Sequence, residues 1–418
     1  MKGTVPFSSY QKLAIALLAV TQFSVILDFM VISPLGDFLM KSMNLHPNQF
    51  GIAVSVYAFS AGISGLLTAG FADKFDRKKL LLFFYSGFIA GTLLCGFSHS
   101  YYMLLAARLI TGLFGGVIGS ISLAIVTDLF AIEQRGRAMG FMQMGFSASQ
   151  VLGIPIGLYL ANLWGWQSAF LMVAGIAIVV AVIILIKMQP VNKHLALKQD
   201  RSAFKHLWHT IEKRNYRIGF TATALLSIGG FMMMHFGSAF AINNLGVTPH
   251  QLPLLFMVSG IASLIIMPLV GKLSDKIDKY KLYVIASIYV MVIVVFYTNL
   301  SVQPLWFVML FNVLLMAGIF SRMIPATALT TSIPDMQDRG AFMSINASLQ
   351  QIAGGIAAAV AGSIVVQKTK YSPLEHYNTL GYLIVVISCI TIVLLYRVSI
   401  MIKAKKSKPL EAIPELAV

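Results

Sequence analysis

An all-α membrane protein, with twelve transmembrane helices in two pseudo-symmetric six-helix halves, is the fold this sequence predicts. Three observations carry that expectation. Of 418 residues, 58% are hydrophobic and only 11% charged, and the mean hydropathy is +0.81. A soluble domain carries about 25% charged residues, so most of this surface has lipid as its solvent. Apolar runs long enough to cross the hydrocarbon core, about 20 residues each, follow one another along the whole chain. The chain also repeats itself: Asp73-Lys-Phe-Asp-Arg77 aligns with Asp275-Lys-Ile-Asp-Lys279, an offset of 202 residues, and Arg135-Gly136 aligns with Arg339-Gly340, an offset of 204.

The spans are taken in order. The first, 12–36, holds Asp28 and is not followed by a small-x-small cleavage site, so it reads as a membrane helix and not as a leader. The second, 49–71, runs into AGFADKFDRKKL (69–80), a turn with six charged side chains between apolar runs. The third and fourth are 80–98 and 102–127, the latter carrying Arg108. The fifth, 138–161, contains GIPIGL (153–158), where Gly153, Pro155 and Gly157 predict a kink with close packing. The sixth is 167–187. Next comes the longest loop, 188–216, in which Phe204, Leu207, Trp208 and Ile211 fall on one face of a helix that either lies on the cytoplasmic leaflet or is a solvated linker. The second half repeats the plan with spans at 217–240, 252–271, 281–299, 304–330, 341–365 and 378–400. The expected organisation is a first half at 1–187, a linker at 188–216, a second half at 217–400 and a cytoplasmic tail at 401–418.

Orientation follows from Lys and Arg. With the N-terminus in the cytoplasm, 26 of the 31 basic residues fall inside, three fall outside (Lys41, Lys368 and Lys370), and Arg108 and Arg322 lie within spans. The net charge of +16 is therefore a topology signal, spread over seven cytoplasmic segments, and nucleic-acid binding is set aside. Both termini are expected in the cytoplasm. The short loops point to a multi-pass protein of a bacterial inner membrane.

Ionisable residues inside spans are costly and usually face a cavity or a partner. Asp28, Arg108, His235 and Arg322 fall on spans one, four, seven and ten, one on each. Asp28, counted about eight residues from the outer end of its span, and Arg108, about six from the outer end of its own, lie at similar depth at ~1.5 Å per residue. They form either a proton site, with Asp28 as carrier and Arg108 as its tuner, or a static ion pair. Arg322, just before Pro325, either binds an anionic group or snorkels to the interface. His235 either handles protons or sits at a polar rim. Gln22, Ser24, Thr111, Gln143, Gln150, Ser227, Asn346 and Gln350 are candidate lining of a substrate cavity, although helix–helix hydrogen bonds use the same residue types.

These features resemble the major facilitator superfamily. Its signature turn, roughly G-x-L-A-D-R-x-G-R-K, reads here Ala69-Gly-Phe-Ala-Asp73-Lys-Phe-Asp76-Arg77-Lys78, with Ala69 and Asp76 in place of both glycines. RLITGLFGG (108–116) is similar to the family's R-x-x-x-G motif, and WGWQSAFL (164–171) to the G-W-R-x-x-F segment of its drug/proton antiporter branch. GIPIGL departs from that branch's G-P-x-x-G-G, with the proline displaced by one and Leu158 in place of the last glycine. The resemblance implies the major facilitator fold, with the first helix of each three-helix repeat lining a central cavity. It implies alternating access, and proton-coupled efflux of amphipathic small molecules or drugs. Uptake of a small organic anion is the alternative. It also implies a conformational latch at Asp73, Arg77, Asp128, Arg135, Asp275, Lys279 and Arg339. The other reading of those charges is topology alone.

No phosphate-binding glycine loop, His-Glu-x-x-His or Gly-x-Ser-x-Gly is present, and Cys95 and Cys389 lie in opposite halves. The expectation is a transporter and not an enzyme or a sensor, with no cofactor and no metal. A proton gradient is its energy source. Its partners are a small-molecule substrate, protons and the lipid bilayer, and a monomer suffices.

Overall fold

The computed structural model of the chain describes residues 6–68, 72–196, 203–335 and 337–407. Among these residues, twelve helical spans are long and apolar enough to cross a membrane.

The first half begins with α1 (Ser9–Val31), started by a capping box in which Ser8 and Gln11 satisfy each other's backbone N–H groups. The expected span ran to residue 36, but the helix stops at Val31. Proline disfavours helical backbone at the residue before it and lacks an N–H of its own, and Ser33-Pro34 falls there. Asp28 therefore lies in the last turn of α1, not eight residues inside it. A short helix, α2 (Gly36–Met43), follows and closes on Asn44 in the left-handed region at φ 56°. Next come α3 (Pro47–Thr68), α4 (Arg77–Gly96) and α5 (Tyr101–Leu129). Span five is broken into α6 (Ile132–Ala148), a π-helical turn at Ser149–Gly153 and α7 (Ile154–Trp164). The reason is Pro155, which offers no N–H and crowds the preceding turn, so the ladder widens just before it. α8 (Gln167–Lys187) completes the half.

The linker contains α9 (Ala203–Glu212). Its expected apolar face divides: Leu207 is buried, while Trp208 is 66% exposed and Ile211 also faces outward. The Phe204 side chain lies outside the described residues. Span seven, expected to be continuous, is α10 (Arg214–Phe231), a 3-10 turn at Met234–Phe236 and α11 (Gly237–Asn243). α12 (Leu252–Lys276), α13 (Lys279–Thr298), α14 (Leu305–Thr330), α15 (Arg339–Ile364) and α16 (Tyr377–Ser407) complete the second half.

The charged turn has a local role that its repeat makes plain. Asp76 accepts from the backbone N–H groups of Lys78 and Lys79 and caps α4. Its counterpart Asp278 does the same for α13 through Tyr280 and Lys281. The second aspartate of each copy is thus a helix start signal.

The halves meet most closely where α3 packs on α15. A Cβ at Gly51 would lie 2.6 Å from the Ala358 carbonyl oxygen, and one at Gly362 would lie 2.8 Å from that of Pro47. Small residues let two backbones approach where lipid supplies no hydrophobic drive to associate. Ser55 adds a hydrogen bond to the Gly355 carbonyl at 2.8 Å.

Candidate functional site

Asp28 and Arg108 come together as a salt bridge, with Arg108 Nη1 donating to Asp28 Oδ2 at 2.8 Å and both side chains 0% exposed. Thr92 on α4 donates to the other carboxylate oxygen at 3.3 Å. The guanidinium carbon lies 4.3 Å from the centre of the Tyr57 ring on α3 and 5.9 Å from that of Phe170 on α8. Five helices of the first half therefore converge on one ion pair. The pairing is one-armed: Arg108 Nε and Nη2 are buried without a hydrogen-bond partner among the described residues. A charge held this way is compensated only while Asp28 is ionised.

Tyr57 continues the contact outward. Phe29 lies 5.4 Å from it, Phe231 on α10 lies 6.2 Å from Phe29, and His235 stacks on Phe231 at 6.2 Å. This aromatic series leads from Arg108 to the second half. Sequence reasoning missed Phe29, Tyr57 and Phe231, because aromatic residues are common in apolar spans and nothing in their spacing marks these three. His235 is buried and its Nδ1 is 2.8 Å from Ser33 Oγ, across the halves. Ser238 donates to the Ser33 carbonyl at 2.9 Å, and Asn243 donates to Asp37 at 2.7 Å while accepting from Lys41 at 3.2 Å. His235 thus belongs to a polar clasp between the halves at the end away from the basic loops, apart from Asp28.

Several expected lining residues are engaged elsewhere. Ser24 shares a hydrogen bond with the Tyr85 hydroxyl at 2.8 Å, and Thr111 donates to carbonyls of its own helix. Gln22 is half-buried and faces α5, where a Cβ at Gly119 would lie 3.3 Å from its Nε2. Gln150 lies in the π-helical turn, its backbone against Gly260 of α12. Gly153 abuts Leu27, and Gly157 abuts Val31 and Ala169. Ser227 and Gln350 are half-buried and Gln143 is exposed. Asn346 is buried with Oδ1 unpartnered among the described residues. Arg322 is buried in the second half, distinct from the Asp28–Arg108 pair, with its guanidinium carbon 5.9 Å from the Tyr283 ring centre.

At the basic end, Arg77 Nε donates to Asp128 Oδ2 at 2.6 Å, and His194 Nδ1 stands 3.2 Å from the same oxygen. Arg135 donates to the carbonyls of Thr127 and Phe130, holding the end of α5. The Asp73 side chain lies outside the described residues. In the second half the expected residues give way to a neighbour: Asp275 and Arg339 are exposed and Lys279 is half-buried. Asp338 instead gathers Lys213, Tyr216 at 2.7 Å and His206 at 3.0 Å. The hydrogen bond from Lys213 holds its carboxyl well below the usual carboxylate range, with Tyr216 and His206 acting the same way. Asp335 is also held low, first by Lys405, which reaches it at 2.6 Å. Asp338 stands directly before the Arg-Gly repeat, and one exposed-looking acid beside a basic linker gave no signal.

A family model for the Major Facilitator Superfamily matches residues 18–359 and 222–416. Among curated proteins, a probable sugar efflux transporter of Helicobacter acinonychis is 26% identical over 276 residues, 65% of this chain and 69% of that protein. An uncharacterised transporter of the same superfamily type in Bacillus subtilis, YbcL, is 24% identical over 389 residues, 90% of this chain and 95% of its own length. Among solved structures, a bacterial homologue of the human lysosomal transporter Spinster, inward-facing and unoccupied, superposes with a TM-score of 0.76 at 15% identity, covering 97% of this chain and 100% of that one. The nucleoside transporter NupG, solved as a point mutant, gives 0.75 at 12% identity, covering 93% and 99%.

Proposed function

The chain belongs to the Major Facilitator Superfamily, and on that premise we propose that it is a proton-coupled secondary transporter that exports small amphipathic molecules by alternating access. The observation that carries this reading is the fully buried Asp28–Arg108 pair. Protonating Asp28 removes the anion on Arg108, which then holds an uncompensated charge in a site with no exposed surface. That state is costly unless the helices around it move or a substrate group takes the carboxylate's place. Proton binding and substrate binding therefore each change the stability of the same arrangement, which is the requirement for coupling. The name of the Helicobacter relative supports the outward direction.

In this reading the basic end faces the cytoplasm of a bacterial inner membrane, both termini are cytoplasmic, and a monomer performs the cycle. The proton gradient supplies the energy, without a cofactor or a catalytic step. The test uses purified protein in liposomes with an imposed pH gradient and a trapped pH dye, with lipophilic cations, neutral drugs, organic acids and sugars offered in turn. Proton release driven by one of these compounds and lost in Asp28→Asn is expected. Equal flux in wild type and variant would overturn the assignment. Uptake of a small organic anion is the second reading, favoured by the buried Arg322, and proton movement in the same direction as an acid would select it.

A further inference from the structure

Arg322 is a second buried guanidinium, and unlike Arg108 it has no carboxylate beside it among the described residues. The residue is 4% exposed, and its Nε and Nη2 have no hydrogen-bond partner among the described residues. The sequence holds no Asp or Glu between Asp278 and Asp335, so α13 and α14 carry none. Of the second half's helices, α12 alone has an acidic residue, Asp275 in its last turn, and it is exposed. The buried carboxylate at the start of α15, Asp338, is already taken by Lys213, Tyr216 and His206, so none among the described residues of the second half is available to neutralise Arg322, and an unpaired buried cation is strongly disfavoured.

Two more polar groups stand unsatisfied on the facing helix. Tyr283 and Ser287 are both 0% exposed, and neither the Tyr283 hydroxyl nor Ser287 Oγ has a partner among the described residues. They are four residues apart on α13 and so share one face. The register of the two helices sets them at the level of Arg322. A Cβ at Gly318 would touch Val290 and Tyr289, and Arg322 lies one turn further along α14, which runs opposite to α13. The guanidinium carbon is 5.9 Å from the Tyr283 ring centre. Pro325 removes one backbone hydrogen bond from α14 just beyond, so the helix yields most readily here.

We propose that Arg322, Tyr283 and Ser287 form an anion site in the second half that binds the carboxylate or phosphate group of an amphipathic substrate. The guanidinium supplies two N–H donors and the charge, and the two hydroxyls supply further donors to the anion's remaining oxygens. The site rests on the transport reading above and deepens it by naming the charged end of the cargo.

The experiment reads binding and not transport, so it fails or succeeds independently of proton coupling. Full-length protein in phosphatidylcholine nanodiscs is titrated with inorganic phosphate and with benzoate, and the shift of the thermal midpoint gives the affinity. Wild type should bind at least one probe. Arg322→Gln should bind about tenfold more weakly or worse, as expected for loss of a charged hydrogen bond, and Tyr283→Phe and Ser287→Ala should each weaken binding several-fold. A wild-type midpoint raised by phosphatidylglycerol in the discs and not by the free probes, again lost in Arg322→Gln, would assign the anion to a lipid headgroup. Equal affinity in wild type and Arg322→Gln, or no midpoint shift with either probe or with the anionic lipid, would overturn the site. If Arg322→Gln fails to fold, unchanged affinity in both Tyr283→Phe and Ser287→Ala overturns it equally. Anion binding without proton flux would leave the site standing and remove the coupling mechanism; flux without anion binding would do the reverse.

Discussion

Arg108 gives Asp28 a single N–H at 2.8 Å, and its guanidinium carbon stands 4.3 Å from the Tyr57 ring centre. Because both groups are fully buried, removing one leaves the other unpaired in a medium of low dielectric. Arg108→Gln alone should destabilise the protein by about 3–5 kcal/mol, whereas the Asp28→Asn/Arg108→Gln double variant should recover much of that loss. Unfolding in mixed micelles checks it; a double variant no more stable than the single would show that the pair holds the fold through shape and not charge. Tyr57→Leu removes the ring beside the guanidinium and leaves part of its buried volume empty, and should cost about 2–4 kcal/mol in the same assay. Asp28 and Arg108 were legible in the sequence because a charge stands out in an apolar span, and similar depth suggested their pairing. Their aromatic bed was not, since Tyr57 and Phe29 look like ordinary membrane side chains until the helices are packed.

At the scale of the element, local chemistry explains where helices depart from plain spans. Ser33-Pro34 ends α1 early, and Pro155 turns a simple expected kink into a π-helical turn. Both prolines were visible, but the ladder's response depends on neighbours such as Gly260, whose closeness to Gln150 is a tertiary fact. The linker helix α9 is held by Asp338 through His206, with Lys213 and Tyr216 on the same carboxylate. The folded Asp338 carboxyl titrates below its unfolded value, so its contribution is present above the ordinary carboxylate range, about pH 4, and is lost as pH falls toward the folded value. Hydrogen exchange should therefore show α9 protected at neutral pH, with protection lost on strong acidification. Asp338→Asn should show the reduced protection already at neutral pH. Equal protection in variant and wild type would place the anchor of α9 elsewhere. The sequence drew attention to Arg339 only as a latch residue, through the Arg-Gly repeat, and marked no anchor for the linker helix; the partner set of Asp338 is assembled by folding from the linker, α10 and the start of α15.

For the whole molecule, the two-half plan was the most legible feature, since span spacing and internal repeats both report it in a chain whose composition already marks a membrane protein. What the pattern could not carry is how the halves touch. They meet along α3 and α15 through backbone-close glycines, and at the end away from the basic loops through the Ser33, His235, Asp37 and Asn243 clasp. A Cβ at Gly51 has nowhere to go, with the Ala358 carbonyl oxygen at 2.6 Å. Gly51→Val should insert and fold, yet disfavour this packing of α3 on α15 by about 1–3 kcal/mol and lower transport about tenfold or more. Wild-type transport in that variant would show that close packing of α3 on α15 is not required during the cycle. The proposed coupling of the two halves to a proton gradient rests on one event, the uptake and release of a proton by the Asp28 carboxylate. Infrared difference spectroscopy of the reconstituted protein between high and low pH reads this directly. A protonated-carboxyl band that grows on acidification in wild type and is missing in Asp28→Asn is the predicted result. The same band with the same pH dependence in both proteins, or no band from Asp28 at any pH that supports transport, would contradict it.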